Sequence, residues 1–367
     1  MKNNHIVVKN GYYPGLDILR FVSAWLVVAC HFGTYAWQYP AANVPRSDLA
    51  FVFLAPMAEV GSIGVQIFFL ISGFVITASV VGNSAFGFAM RRAIRVFPAL
   101  WISGLIALLA MLSIGDPPAA ALAAFGRYAV LSPIGPYIDG VVWSLVVEAV
   151  FYLLMFTVLV FGWVEKVGLV AKILGLTSSV FICILIASNA IFGSDGPTSA
   201  LLGRFPFKVL LLEHGVFFAT GMLICAAGSH AGTRRDLPWV ALFLVFCSAE
   251  IAFGRSTVST KVVSLALWWA SFGVLVESAR QSKWISLLGD CKKVLRVGGR
   301  MSYTIYLNHY TLGLVLVPTL AAYGLSRNIA FVATLVSVII VSYLVMEFPE
   351  QAIQKRLKRL LRTVERP

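Results

Sequence analysis

Charge is what this sequence has least of. Only 12% of its 367 residues are Asp, Glu, Lys or Arg, against roughly 25% in soluble domains. With 59% hydrophobic residues and a mean hydropathy of +0.86, there is too little polar surface to cover the apolar side chains in water. A water-soluble fold is thereby excluded, and lipid is the solvent for much of the chain. Acidic residues are scarcer than basic ones, 16 against 29, for a net charge of +13. The basic residues form short clusters between apolar runs rather than a stripe interleaved with aromatics. That is how membrane proteins carry orientation signals, so no nucleic-acid partner is expected. Cysteine is also rare. The five residues Cys30, Cys183, Cys225, Cys247 and Cys291 lie mostly in apolar runs without CxxC spacing, which supports neither a zinc site nor a disulfide framework. They read as small buried hydrophobes, and no metal is expected. No cleavable leader is expected either, because the first apolar run is already of spanning length with no small-residue cleavage site after it. No internal repeat is visible, which disfavours the repeat-built transporters.

What is present is a series of apolar runs. A helix crossing a bilayer core needs about 20 apolar residues. Ten such runs are predicted, at 16–38, 60–81, 96–114, 142–163, 169–192, 206–227, 238–253, 262–279, 301–322 and 329–347, the seventh being the shortest. The expected fold class is an all-α membrane protein, a bundle of about ten transmembrane helices. An even count puts both termini on one side. With the termini cytoplasmic, 21 of the 29 basic residues fall on the inside, 7 on the outside, and Arg20 within the first span. That bias follows the positive-inside rule. The tail carries Lys355, Arg356, Lys358, Arg359 and Arg362 at helical spacing against Ile353, Leu357, Leu360 and Leu361. Residues 350–367 therefore read as a basic amphipathic helix on the cytoplasmic membrane face. A stretch at about 115–141, rich in Gly and Pro, is the longest expected outside loop.

Ionisable residues inside a span cost several kcal/mol and are functional candidates by default. Arg20 and His31 lie eleven residues apart in the first run, close to three helical turns and about 16 Å along one face. Asp17 lies on nearly the same side as Arg20, so an Asp17–Arg20 structural pair competes with a functional role. The fourth run opens Trp143-Ser144-Leu145 and carries Glu148; the ninth holds Tyr303, Tyr306, Asn308 and His309; the sixth holds Glu213 and His214. Arg92 and Arg95 share a face where the third run begins. They are either a positive-inside anchor or a clamp for phosphate, which guanidinium forks bind bidentately. Transport, proton relay and catalysis all accommodate this set. Glu213 and His214 read more readily as structural than as acceptor-binding.

Taken in order, these segments resemble the acyltransferase type 3 family of polytopic membrane acyltransferases. Arg20-x10-His31 resembles that family's first-span signature, and Gly64-Val-Gln-Ile-Phe-Phe-Leu-Ile-Ser-Gly-Phe74 its second-span motif. Arg92-x-x-Arg95 with Pro98 is similar to its basic motif. Trp143-Ser-Leu-x-x-Glu148-x-x-Phe-Tyr152, Ser302-Tyr-x-x-Tyr-Leu-x-His309 and Glu347-x-Pro349 resemble later ones. The resemblance covers residues 16 to 349, which implies a transmembrane acyltransferase domain over 1–349.

The resemblance implies transfer of an acyl group, commonly acetyl, from cytoplasmic acyl-CoA to a hydroxyl of a glycan, a lipid-linked sugar or a small molecule. It implies a place in the bacterial inner membrane and acceptance of the group at the extracytoplasmic side. Some members carry an esterase-like domain after the last helix. None is expected after residue 349, and transfer is expected within the bundle or with a partner protein. His31 is the expected catalytic residue, as general base on the acceptor hydroxyl or as a covalent acyl carrier. Glu148 is expected to orient it or share the proton. Arg20, Arg92, Arg95 and His309 are expected on the acyl-CoA side, although for His309 helix packing is an equal reading. Glu347 is expected to pair with an arginine of the inside cluster. A homo-oligomer is compatible with the sequence. The alternative function is a proton-coupled permease or exporter of a sugar or small polar metabolite.

Overall fold

The computed structural model describes residues 13–34, 54–193, 196–228, 234–280 and 291–364. Lys2, Lys9, Arg46, Lys283 and Arg366, which enter the charge bias, lie outside the described residues. The described chain is helical, with no strand among the described residues. The longer helices are α1 (Pro14–Thr34), α2 (Ala55–Val60) running almost directly into α3 (Ile63–Val80), α4 (Ala85–Ser113), α5 (Pro118–Ala129), α6 (Trp143–Val160) and α7 (Val167–Phe192). After two short helices, α8 (Pro197–Leu202) and α9 (Phe205–Val209), follow α10 (Gly215–Gly228), α11 (Leu237–Phe253), α12 (Val258–Ala279), α13 (Cys291–Ala322), α14 (Arg327–Val345) and α15 (Gln351–Val364).

Among the described residues eight helices are long and apolar enough to cross a membrane, against the ten expected. The two expected spans that fall short are the sixth and seventh. The run 206–227 is not one helix. Its chain turns through Leu210–His214, with Leu211 in the left-handed region at φ 60°, and helix resumes only at Gly215. A left-handed residue breaks the i→i−4 ladder, so apolar composition alone cannot keep the rod intact. The remaining 14 residues of α10 and 17 of α11 rise about 21 and 26 Å, short of the ~30 Å core. Part of the expected outside loop is also helical. Pro118 fits the first helical position and six alanines follow it within α5; alanine is the best helix former.

The chain divides into two compact units. The first comprises Met1–Arg20, Val65–Ala89 and Val146–Lys293. In it α3 and α10 meet backbone to backbone: a Cβ on Gly73 would lie 2.2 Å from the Phe218 carbonyl oxygen, and one on Gly221 2.2 Å from that of Leu70. In lipid, where apolar side chains gain little from avoiding solvent, such close approach at small residues is what holds helices together. Phe151, Phe217, Phe218, Phe243 and Trp268 fill the space around them.

The second unit comprises Phe21–Gly64, Met90–Leu145 and Val294–Pro367. Its α5 rests on α4, where the Tyr128 ring lies under Gly104 and Trp101 Nε1 donates to the Ala129 carbonyl. Between α14 and α15 the helix widens at Met346–Glu350, which contains Pro349. Proline has no N–H to offer the ladder, and a single wide turn accommodates it. In α15 Leu361 is buried while Lys355, Arg356, Lys358 and Arg359 are exposed.

Candidate functional site

In the second unit one stretch of α13 anchors the surrounding helices. Tyr303 donates its hydroxyl to the Val96 carbonyl of α4 at 3.0 Å. One turn on, Tyr306 donates to the Val141 carbonyl at 3.0 Å and shares a hydrogen bond with Ser144 Oγ at 2.6 Å. Thr311 donates both its backbone N–H and its hydroxyl to Asp139. Asp139 also accepts from Val141 N at 2.9 Å, capping the short helical turn Gly140–Val142 that leads into α6. The Asp139 carboxyl is fully buried, and loss of water raises its pKa to about 6 even though the Thr311 and Val141 hydrogen bonds pull the other way.

His309 sits at the centre of this stretch, fully buried. Its Nε2 lies 2.7 Å from Nδ1 of His31 on α1, with the rings stacked at 5.0 Å between centroids. On its other side, Nδ1 faces the Ile305 and Tyr306 carbonyls at 3.0 and 2.9 Å. Carbonyl oxygens only accept, so His309 Nδ1 carries the proton. In the neutral ring Nε2 is then the acceptor, and the hydrogen on the 2.7 Å bond belongs to His31 Nδ1. The lone pair of neutral His31 is thus placed on Nε2. Two backbone carbonyls fix the tautomer of one histidine, and that histidine fixes the tautomer of the next. The Tyr310 ring stands edge-on to His31 at 5.0 Å.

The two basic-motif residues occupy the α4 turns near Tyr303. Arg95 forms an ion pair with buried Glu350 at 3.5 Å and lies over the Tyr303 ring at 5.4 Å. Arg92 is half-buried on the same helix. Glu347 pairs with Arg300 at 3.8 Å, both partly exposed, which is the pairing expected of it.

In the first unit, Glu148 accepts from Ser72 Oγ at 2.6 Å and from the Tyr152 hydroxyl at 2.8 Å, both on Oε1. The second-span and fourth-span motifs therefore meet at this carboxylate. Arg20 pairs with Asp17 at 3.3 Å, the structural pair weighed against its functional role. Among the expected site residues, then, His31 is joined to His309, Arg95 to Glu350 and Tyr303, and Glu148 to Ser72 and Tyr152. His31 Nδ1 donates its hydrogen bond to His309 Nε2. Sequence reading missed Asp139 and Thr311. The signal for Asp139 was present, since an acidic residue just before an apolar run is a helix-start mark.

An apolar, multi-helix chain with eight described helices of spanning length is a polytopic membrane protein, and it holds a hydrogen-bonded histidine pair. The family model described as "Acyltransferase domain" matches residues 13–347, and the chain belongs to this acyltransferase type 3 family of membrane acyltransferases. Membership favours acyl transfer over the permease reading. The chain is 31% identical over 170 residues to Nodulation protein 10 of Rhizobium leguminosarum bv. viciae, covering 39% of this chain and 43% of that protein. It thus matches less than half the length of that relative. No solved structure matches the chain.

Proposed function

We propose that the protein transfers an acyl group, acetyl by preference, from cytoplasmic acyl-CoA to a hydroxyl presented at the extracytoplasmic side by a glycan, a lipid-linked sugar or a small molecule. The observation that carries this reading is the carbonyl–His309–His31 relay, which leaves the basic lone pair on His31 Nε2. In the step proposed, His31 Nε2 takes the acceptor's hydroxyl proton as its oxygen attacks the thioester carbonyl. The carbon–sulfur bond then breaks, and the CoA thiolate leaves and takes up a proton. His309 acts as a positioning residue: it holds the imidazole in one orientation and accepts the hydrogen bond that strengthens as His31 gains charge. A covalent route uses the same nitrogen as nucleophile, forming and then losing an acyl-imidazole.

Arg92 and Arg95 are assigned to the anionic nucleotide end of the donor, and Glu148 to the reaction with Ser72 and Tyr152 holding its carboxylate. The orientation proposed keeps both termini cytoplasmic in the bacterial inner membrane. The two short helices are consecutive, so the side of the other segments is the same whether the count is eight or ten. The basic tail α15 then lies at the cytoplasmic face among anionic headgroups. The test compares the mass of surface glycan and extracted lipid-linked sugar from cells with and without the protein, and from cells carrying His31→Ala. A missing acyl increment in the last two is the expected result. An increment that persists in His31→Ala cells at normal protein levels overturns the assignment.

A further inference from the structure

A second group of polar side chains lies in the first unit, where three helices end together. Glu213 and His214 close the turn before α10, Gln66 is in the first turn of α3, and Glu250 is in the last turn of α11. One ligand-type atom from each of Glu213, His214 and Glu250 lies within 4.8 Å of the others. His214, Glu250 and Gln66 are 4%, 8% and 7% exposed. Two carboxylates at this depth call for strong compensation, yet the separations are long. His214 Nδ1 is 3.3 Å from Glu250 Oε1, and its Nε2 is 3.8 Å from Glu213 Oε1. Gln66 Nε2 is 3.5 Å from Glu250 Oε2, and Lys208 Nζ is 3.6 Å from Glu213 Oε1. Direct charge-assisted hydrogen bonds would close to about 2.7–2.9 Å. Only one nitrogen of His214 can bind a given ion; Nδ1 and Glu250 Oε1, 3.3 Å apart, stand at the spacing of two ligand atoms sharing a tetrahedral ion at about 2.0–2.2 Å.

Two further oxygens complete the case. Glu213 Oε2 and Gln66 Oε1 are buried and accept no hydrogen bond among the described residues. Gln66 Oε1 belongs to the amide whose Nε2 reaches Glu250, so a half-turn of that amide brings the oxygen to the cluster. The Phe69 and Phe217 rings, with centroids 5.4 and 6.4 Å from His214, provide an apolar shell. We propose that Glu213, His214 and Glu250, with the amide oxygen of Gln66, bind one divalent transition cation of the Mn2+ or Zn2+ class and clamp the ends of α3, α10 and α11. Imidazole with carboxylate and amide oxygens suits these ions. This proposal departs from the expectation of no metal and does not rest on the acyl-transfer reading.

The experiment uses the full chain, purified in detergent with a histidine-free affinity tag, stripped with a chelator and re-equilibrated with Mn2+. Mn2+ is chosen because the exposed thiols of Cys183 and Cys291 bind it poorly. Metal content per chain and the thermal midpoint are read together. The expected result is one ion per chain with a raised midpoint, abolished by His214→Ala, weakened at least 100-fold by Glu250→Gln and about tenfold by Gln66→Leu. If His214→Ala does not fold, the isosteric Glu250→Gln decides. A wild-type chain that retains no ion overturns the proposal. Ion content unchanged by all the variants that fold places the ion elsewhere and overturns it too.

Discussion

Replacing His309 by alanine deletes the acceptor of the 2.7 Å hydrogen bond from His31 Nδ1 without removing the proposed base. As His31 takes a proton in the transition state, that bond becomes charge-assisted and contributes about 1.5–3 kcal/mol. Since about 1.4 kcal/mol is tenfold in rate, kcat should fall by about 10–150-fold, with the KM for acyl-CoA little changed. Glutamine sets an amide oxygen close to the position of the lost Nε2. His309→Gln should therefore keep the acceptor and recover activity to within about tenfold of wild type. The assay is CoA thiol release from acetyl-CoA by the protein in proteoliposomes, with acceptor supplied on the opposite side. Protein amount and melting are checked in parallel, because deleting a buried ring also leaves a cavity. A His309→Ala enzyme within threefold of wild type refutes the relay. A folded His309→Gln enzyme as slow as the alanine variant shows that the acceptor is not what His309 supplies.

Other perturbations probe the remaining residues. Arg92→Ala should raise the KM for acyl-CoA about 10–100-fold, the loss of one or two guanidinium–phosphate hydrogen bonds, while kcat changes little; an unchanged KM returns Arg92 to a membrane-anchor role. Glu148→Gln retains an oxygen for Ser72 and Tyr152, so melting should hold while turnover drops at least 100-fold, and full turnover would remove Glu148 from the chemistry. Asp139 holds its proton up to about pH 6, where a free carboxyl has lost it near 3.8. Between those values the folded chain binds more protons than the unfolded one, so stability falls as pH rises, by at most about 3 kcal/mol. Melting of the detergent-solubilised protein between pH 4 and 7 should show this decline, and Asp139→Asn should flatten it.

Some of this was legible in the residues and some was not. Apolar run length and the basic bias identify a helical membrane protein, because lipid forces each spanning backbone to satisfy its own hydrogen bonds. The ordered motifs locate the family, and the eleven-residue spacing of Arg20 and His31 puts both on one helix face. Composition failed at 206–227, since an apolar run carries no record of the left-handed Leu211 that interrupts it. It was also silent on the helix in the outside stretch.

Which polar residues meet was decided by the tertiary structure. His31 and His309 are 278 positions apart, and only the packing of α1 against α13 turns two separate motif residues into one hydrogen-bonded pair. Glu148 accepts its hydrogen bonds from Tyr152 one turn on and from Ser72, 76 positions away on another helix. Gln66, Glu213, His214 and Glu250 come from three separate stretches of chain and gather only because α3, α10 and α11 end at one place. Periodicity is a property of neighbours along the chain and can specify which face a residue occupies. The partner on that face is set by helix packing, and here by glycines such as Gly73 and Gly221 that let backbones touch.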